Sequence, residues 1–184
     1  MRSNGEKAVK RTIKDSVFSA LFNETKYLRQ LCRVLKPDVS EAELDTIANV
    51  TIQNVLVNGL YNDLALSIGS SSIFLYFCEA QSVWSDNIAY RLLEYFVEWT
   101  HKYIVENKYN LYSRKAVRLP VPRFYVVYTG KDEYPGDIVT LMDTNFGGVE
   151  GAVNVKVNVL HMSDENNILD QYIKFTRVSD EQVR

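Results

Sequence analysis

YNDLALSIGSSSIFLYFCEAQS, residues 61–82, carries the pattern of a β-hairpin. From Asn62 to Ile68 the residues alternate. Asp63, Ala65 and Ser67 share one face, and Leu64, Leu66 and Ile68 share the other, which is the two-residue period of a strand with two unlike faces. Gly69 and the serines after it supply a turn. Ile73 to Gln81 is an apolar, aromatic run suited to a buried strand. If the strands pair antiparallel with partner numbers that sum to 142, Asp63 stands opposite Glu79, and Gln81 shares a face with Glu79. Directly opposed side chains lie about 5 Å apart at Cβ. Two carboxylates and one amide are therefore expected together at the open end of the hairpin.

Two acids that close repel each other, and their burial is costly unless a cation neutralises them. A hard divalent ion answers this, since Mg²⁺ takes one or two carboxylates and keeps other positions for water and phosphate oxygens. The bland alternative is that Asp63 opens a strand at the surface and Glu79 is a solvated strand end. Against it, Glu79 and Gln81 follow directly on Phe74-Leu75-Tyr76-Phe77-Cys78, and a buried acid needs a partner.

The chain of 184 residues, 46% hydrophobic and 24% charged, is expected to fold as one domain over residues 15–184, behind a flexible basic N-terminus at 1–14. It holds no apolar run long enough to span a membrane, and MRSNGEKAVKR lacks the apolar centre of a signal peptide. Cys32 and Cys78 sit in apolar settings without metal-ligand spacing and read as reduced core thiols of a cytoplasmic protein. The net charge of −2 is unevenly spread, at +6 over residues 1–36, −8 over 37–98, +6 over 99–131 and −6 over 132–184. Two basic blocks around an acidic centre could hold a polyanion beside a metal site. Solvated helix faces and loops explain the same charges equally well.

In chain order, Asp15 or Ser16 is placed to cap a helix with Val17, Phe18, Leu21 and Phe22 inward. A second helix, or its continuation, spans Glu24–Leu35 and stops before Pro37. Ser40 and Glu43 have capping-box spacing. Val50–Val57 reads as a first strand, and Asn58-Gly59 as the turn into the hairpin. Ser85 or Asp86 is expected to cap a long helix to Glu106, striped by Ile88, Leu92, Phe96, Trp99 and Tyr103, with Glu98 and Lys102 as an i,i+4 pair. Residues 107–122 form a basic loop that holds Arg114, Lys115 and Arg118 together with Tyr109 and Tyr112, a mixture that suits a nucleic-acid strand as well as a solvated loop. A strand is expected at Pro122–Thr129, a loop-rich stretch at 131–151, an edge or near-edge strand at Val153–Leu160 and a helix at Glu165–Thr176. Phosphate-loop, dinucleotide, zinc-protease and hydrolase motifs are missing. His101 and His161, the two histidines of the chain, give little basis for a histidine triad or zinc site.

The order αβββαβ, with an acid opening the second strand and an E-x-Q pair on the third, resembles the PD-(D/E)XK nuclease superfamily. More closely, DSVFSALF (15–22), NVLVNGLYNDLAL (54–66), CEAQSVWSDNIAYRLLEY (78–95), LPVPRFYVVYTG (119–130) and DQYIKFTRVSDEQV (170–183) resemble the PD-(D/E)XK nuclease family transposases of bacteria, the recombination-promoting nuclease group. The resemblance implies a restriction-endonuclease-like α/β fold, a mixed central sheet flanked by helices. It also implies a chain shortened at its C-terminus, since members of the family usually continue further.

The activity so implied is metal-dependent endonuclease cleavage of DNA phosphodiester bonds, with Mg²⁺ or Mn²⁺, no organic cofactor, no membrane, and room for a homo-oligomer. Asp63, Glu79 and the Ala80 carbonyl match the metal ligands. Gln81 stands where the superfamily usually has lysine and can hold the attacking water. Asp15 matches the acid of the first helix, besides its reading as a cap. Arg91 is near enough in sequence to face the phosphate. Lys14, Arg114, Lys115, Arg118 and Arg123 are the expected DNA contacts. The alternative is a non-catalytic DNA-binding or assembly module that keeps the nuclease fold. Ser19, where relatives often carry lysine, is a second departure from the pattern.

Overall fold

The computed structural model describes residues 17–51, 63–69 and 74–181, with Asp63, Leu75, Asp180 and Glu181 described by their backbone alone. Asp15, Lys14, the rest of the basic N-terminus, the serine turn, Asn58-Gly59 and most of the expected Val50–Val57 strand lie outside the described residues.

The chain is of the α/β type. Helix α1 covers 17–23 and α2 Thr25–Leu35; they are followed by α3 (Glu41–Leu44), β1 (Ala48–Asn49), β2 (Asp63–Ile68), β3 (Phe74–Gln81) and α4 (Ile88–Glu106). After these come β4 (Val121–Tyr128), β5 (Ile138–Thr140), α5 (Leu141–Phe146), β6 (Lys156–Leu160) and α6 (Ile168–Glu181). The strands form one open, mixed sheet of six in the order β1-β2-β3-β4-β6-β5. Strands β2 and β3 pair antiparallel from Asp63↔Glu79 to Ile68↔Phe74, the register expected from the sequence. Strands β3, β4 and β6 run parallel, while β1 and β5 close the two edges antiparallel.

Strand alternation divides the core. Leu64, Leu66, Ile68, Tyr76, Cys78 and Val127 pack on the side covered by α1, α2 and α6. Ala65, Phe77, Phe124, Val126, Tyr128, Val157 and Val159 pack on the side covered by α4 and α5. Phe18 meets Phe22 and Tyr172 edge to face at 4.9 and 5.2 Å, which joins α1 to α6. Truncating one such phenylalanine removes about 3–5 kcal/mol.

Several local expectations hold. Helix α2 stops before Pro37, and Ser40 and Glu43 form both bonds of a capping box. Others differ. Helix α4 starts at Ile88 with Asn87 in the cap position and no capping side chain, and the Asp86 carboxylate accepts from the Trp84 indole N–H at 2.9 Å. Lys102 approaches Glu106 at 3.7 Å rather than Glu98. The stretch 131–151 is not all loop, since it contains β5 and α5. Thr140 caps α5 by accepting from the Asp143 N–H, and Gly147 ends that helix at φ 61°, a left-handed conformation glycine adopts without strain. Strand β6 starts at Lys156 and lies one place in from the β5 edge. Helix α6 starts later and ends later than its apolar spacing suggests. Among the described residues no helix is long and apolar enough to cross a membrane.

The basic excess over residues 1–36 is partly neutralised in place. Arg29 pairs with Glu41 and Asp45, Arg33 with Glu41, and Lys36 with Glu43. The Lys36 ammonium and the Ser40 N–H and O–H draw the Glu43 carboxyl down to about 2. This cluster is therefore less free to meet a polyanion than the charge count suggests.

Candidate functional site

Glu79 and Gln81 lie near the carboxyl end of β3, on the side covered by α4, and are buried at 3% and 6% exposure. Three alternating aromatic and thiol residues, Tyr76, Phe77 and Cys78, anchor the strand before them in both cores. Gln81 Nε2 donates to Glu79 Oε1 at 2.8 Å. An Arg91 Nη2 N–H, from the first turn of α4, donates to the same oxygen. Gln81 Oε1 is buried with no hydrogen-bond partner among the described residues. The backbone register sets Asp63 directly opposite Glu79.

The adjoining backbone is held from β4. Thr129 donates its N–H at 2.8 Å and its hydroxyl at 3.2 Å to the Gln81 carbonyl. Carbonyls alternate along a strand, so the Ala80 carbonyl is directed to the β2 side. From α6, Arg177 donates to the Thr129 and Gly130 carbonyls at 3.2 and 2.9 Å. Gly130 has no room for a side chain, because a Cβ there would overlap the Tyr128 hydroxyl and lie 2.6 Å from the Ser82 carbonyl. Thus α6 braces β4, and β4 braces the residue that carries the Gln81 amide.

The structure separates the residues expected to act together. Asp63, Glu79, Ala80, Gln81 and Arg91 share one end of the sheet. Arg91, expected to face a phosphate, is instead engaged with Glu79, and its side chain is 17% exposed. Arg114, Lys115 and Arg118 are exposed on the loop after α4. With 19 residues in α4, that loop lies about 28 Å from the helix start at 1.5 Å per residue. Arg123 is exposed at the start of β4, opposite Tyr76, and its guanidinium lies over the Phe74 ring at 5.6 Å. It therefore projects from the face away from Glu79. Asp15 and Lys14 lie outside the described residues.

Cys32 and Cys78 are both buried in the core, as expected, and burial pushes Cys32 up to about 11. His161 is paired with Asp137 at 3.1 Å, away from β3. Thr129, Gly130 and Arg177 escaped the sequence reading. Arg177 stands four residues after Ile173 on the inward side of α6, and that spacing was its one visible signal.

Oxygens of the kind a hard divalent ion takes lie at this end of the sheet: the buried Glu79 carboxylate, already paired with Arg91, the Ala80 carbonyl directed toward β2, and a Gln81 amide oxygen with no partner among the described residues, with Asp63 opposite Glu79 in the backbone register. Among the described residues no group of three His, Cys, Asp or Glu gathers as a larger cage. Comparison of the chain with protein-family models, curated proteins and solved structures finds no match.

Proposed function

We propose that the chain is a metal-dependent DNA endonuclease of the PD-(D/E)XK, restriction-endonuclease-like type, with the recombination-promoting transposases as its kin. The observation that carries the proposal is the antiparallel register Asp63↔Glu79 with the buried Gln81 two residues further along β3. Asp63, Glu79 and the Ala80 carbonyl would hold the ion. A bound Mg²⁺ or Mn²⁺ supplies the Lewis acidity that polarises a phosphate and acidifies a water. Gln81 accepts a hydrogen bond from the attacking water through Oε1 and keeps Glu79 oriented through Nε2. Arg91 offsets the charge of the paired acids, the task that a lysine at position 81 would otherwise share. A DNA strand running from Glu79 to the Arg114–Arg118 loop spans about 28 Å along α4, or about eight base pairs at 3.4 Å each.

Nicking of supercoiled plasmid in Mg²⁺ or Mn²⁺ tests this. Wild type is expected to nick, and Asp63→Asn and Glu79→Gln to fall to background while keeping the wild-type circular dichroism. Nicking retained by folded Asp63→Asn overturns the assignment.

One observation favours a second reading, a non-catalytic DNA-binding or assembly module. The Arg91–Glu79 ion pair neutralises the buried carboxylate without an ion. A folded wild type that retards DNA in a gel but nicks it with neither metal supports that reading.

A further inference from the structure

Beside Gln81, at the carboxyl ends of β4 and β6, lies a cleft of about 420 Å³, within the roughly 300–1,000 Å³ of sites that bind small molecules. Tyr128, Tyr134, His161, Lys131 and Arg177 contribute to its wall. Tyr134 packs against Tyr128, Trp84 and His161 with ring centroids at 5.2, 6.2 and 5.7 Å. The His161 ring is held by its contacts to the Met162 carbonyl and to Asp137, both at 3.1 Å. Aromatic surface is thus fixed beside two cations. Arg177 spends an Nε and an Nη2 N–H on the Thr129 and Gly130 carbonyls and an Nη1 N–H on the Met162 sulfur at 3.9 Å, which leaves two of the five donors of a guanidinium. The cleft is linked to the end of β3 by backbone, since Thr129, next to Gly130 of the cleft wall, bonds to the Gln81 carbonyl.

We infer that this cleft is a nucleotide subsite, which takes one unstacked nucleotide of the DNA strand that passes Gln81. The base lies against Tyr134 and His161, and its phosphate meets Lys131 and Arg177. Stacking on protein aromatics is sequence-tolerant, and the adjacent cations hold the backbone. An uninterrupted duplex offers a base to such a cleft only by flipping it out, at a cost of a few kcal/mol, so the favoured substrates are single-stranded, frayed or branched DNA. This substrate class rests on the nuclease reading, but the binding does not require cleavage.

The test is fluorescence anisotropy with a short labelled oligothymidylate in EDTA, beside a blunt duplex. Tyr134→Ala and His161→Ala are each expected to weaken oligothymidylate binding about tenfold and to leave duplex binding unchanged. Tyr134→Phe keeps the ring and is expected to bind like wild type, which separates stacking from loss of fold. Equal binding by wild type and Tyr134→Ala, equal losses for both DNAs, or no oligothymidylate binding by wild type overturns the subsite. Tyr134-dependent binding in a protein that never nicks plasmid upholds the subsite and removes the nuclease reading alone.

Discussion

Arg91, in the first turn of α4, forms an ion pair with Glu79 near the end of β3, and Gln81 bonds to the same carboxylate oxygen. The helix that follows the hairpin therefore returns a cation to the acid the hairpin buries. Removing one partner of a buried pair leaves the other charge uncompensated and costs about 3–5 kcal/mol, whereas replacing both costs far less. Arg91→Met is expected to lose about 3 kcal/mol in urea unfolding. Glu79→Gln is expected to lose a similar amount, and the double variant less than the two together. Additive losses across this cycle show that the two residues are not coupled.

The same pair offers a direct way to detect an ion at Glu79. Without Arg91, Glu79 has lost a competing cation. Mg²⁺ that binds the folded state alone stabilises it by RT ln(1 + [L]/Kd). The rise in Tm with Mg²⁺ is expected to be larger in Arg91→Met than in wild type, and to vanish when Asp63→Asn is added. Equal rises in all three, measured by differential scanning calorimetry, place any bound Mg²⁺ elsewhere.

Gly130 couples this site to the cleft beside it. A methyl group there overlaps the Tyr128 hydroxyl and crowds the Ser82 carbonyl, and overpacking of this kind costs about 1–3 kcal/mol. Relief requires Tyr128 or the β3 end to move, which also shifts Thr129 and the Gln81 backbone it holds. Gly130→Ala is expected to lower stability by that amount and to reduce plasmid nicking further than the stability loss explains. Wild-type nicking by folded Gly130→Ala removes the coupling.

The facing of the hairpin strands was legible because its two faces differ so strongly, while a slip of two residues keeps those faces and so was not excluded by them. A slip of one residue would turn Leu64, Leu66 and Ile68 out of the core. Helices α2 and α4 were legible by their apolar stripes, but the start of α4 was not. The sequence offers Ser85 or Asp86 as the cap, whereas Asn87 takes that position without a capping side-chain bond, and Asp86 accepts from Trp84. Strand β5 and helix α5 are too short for a period to show, although Thr140 and Asp143 carry the spacing of a cap. Arg91 was visible as a nearby cation, but its partner was not, since the crossing of α4 over β3 is a tertiary fact. Arg177 lies 96 positions from Gln81 in the numbering, and only the packing of α6 against the sheet brings them into one network.

Acid stability gives a check on α6 that is independent of the site. Asp170 is buried at 1% exposure. Burial alone raises its carboxyl, but bonds from the Ser163 N–H and hydroxyl and from the Asn167 N–H outweigh this and hold it below the usual value. A depressed carboxyl contributes stability that is fully present above its unfolded value of about 3.9. That contribution is lost as pH falls through the lower folded value. Asp170→Asn keeps the shape but turns a donor toward groups that already donate. It is expected to cost about 2 kcal/mol at pH 7, the scale of hydrogen bonds to a charged group, and to cost progressively less as the pH falls below 3.9. Urea unfolding of both proteins across pH 2–7 measures the difference. A difference that does not change with pH assigns the loss to shape alone and removes the ionised Asp170 from the stability of α6.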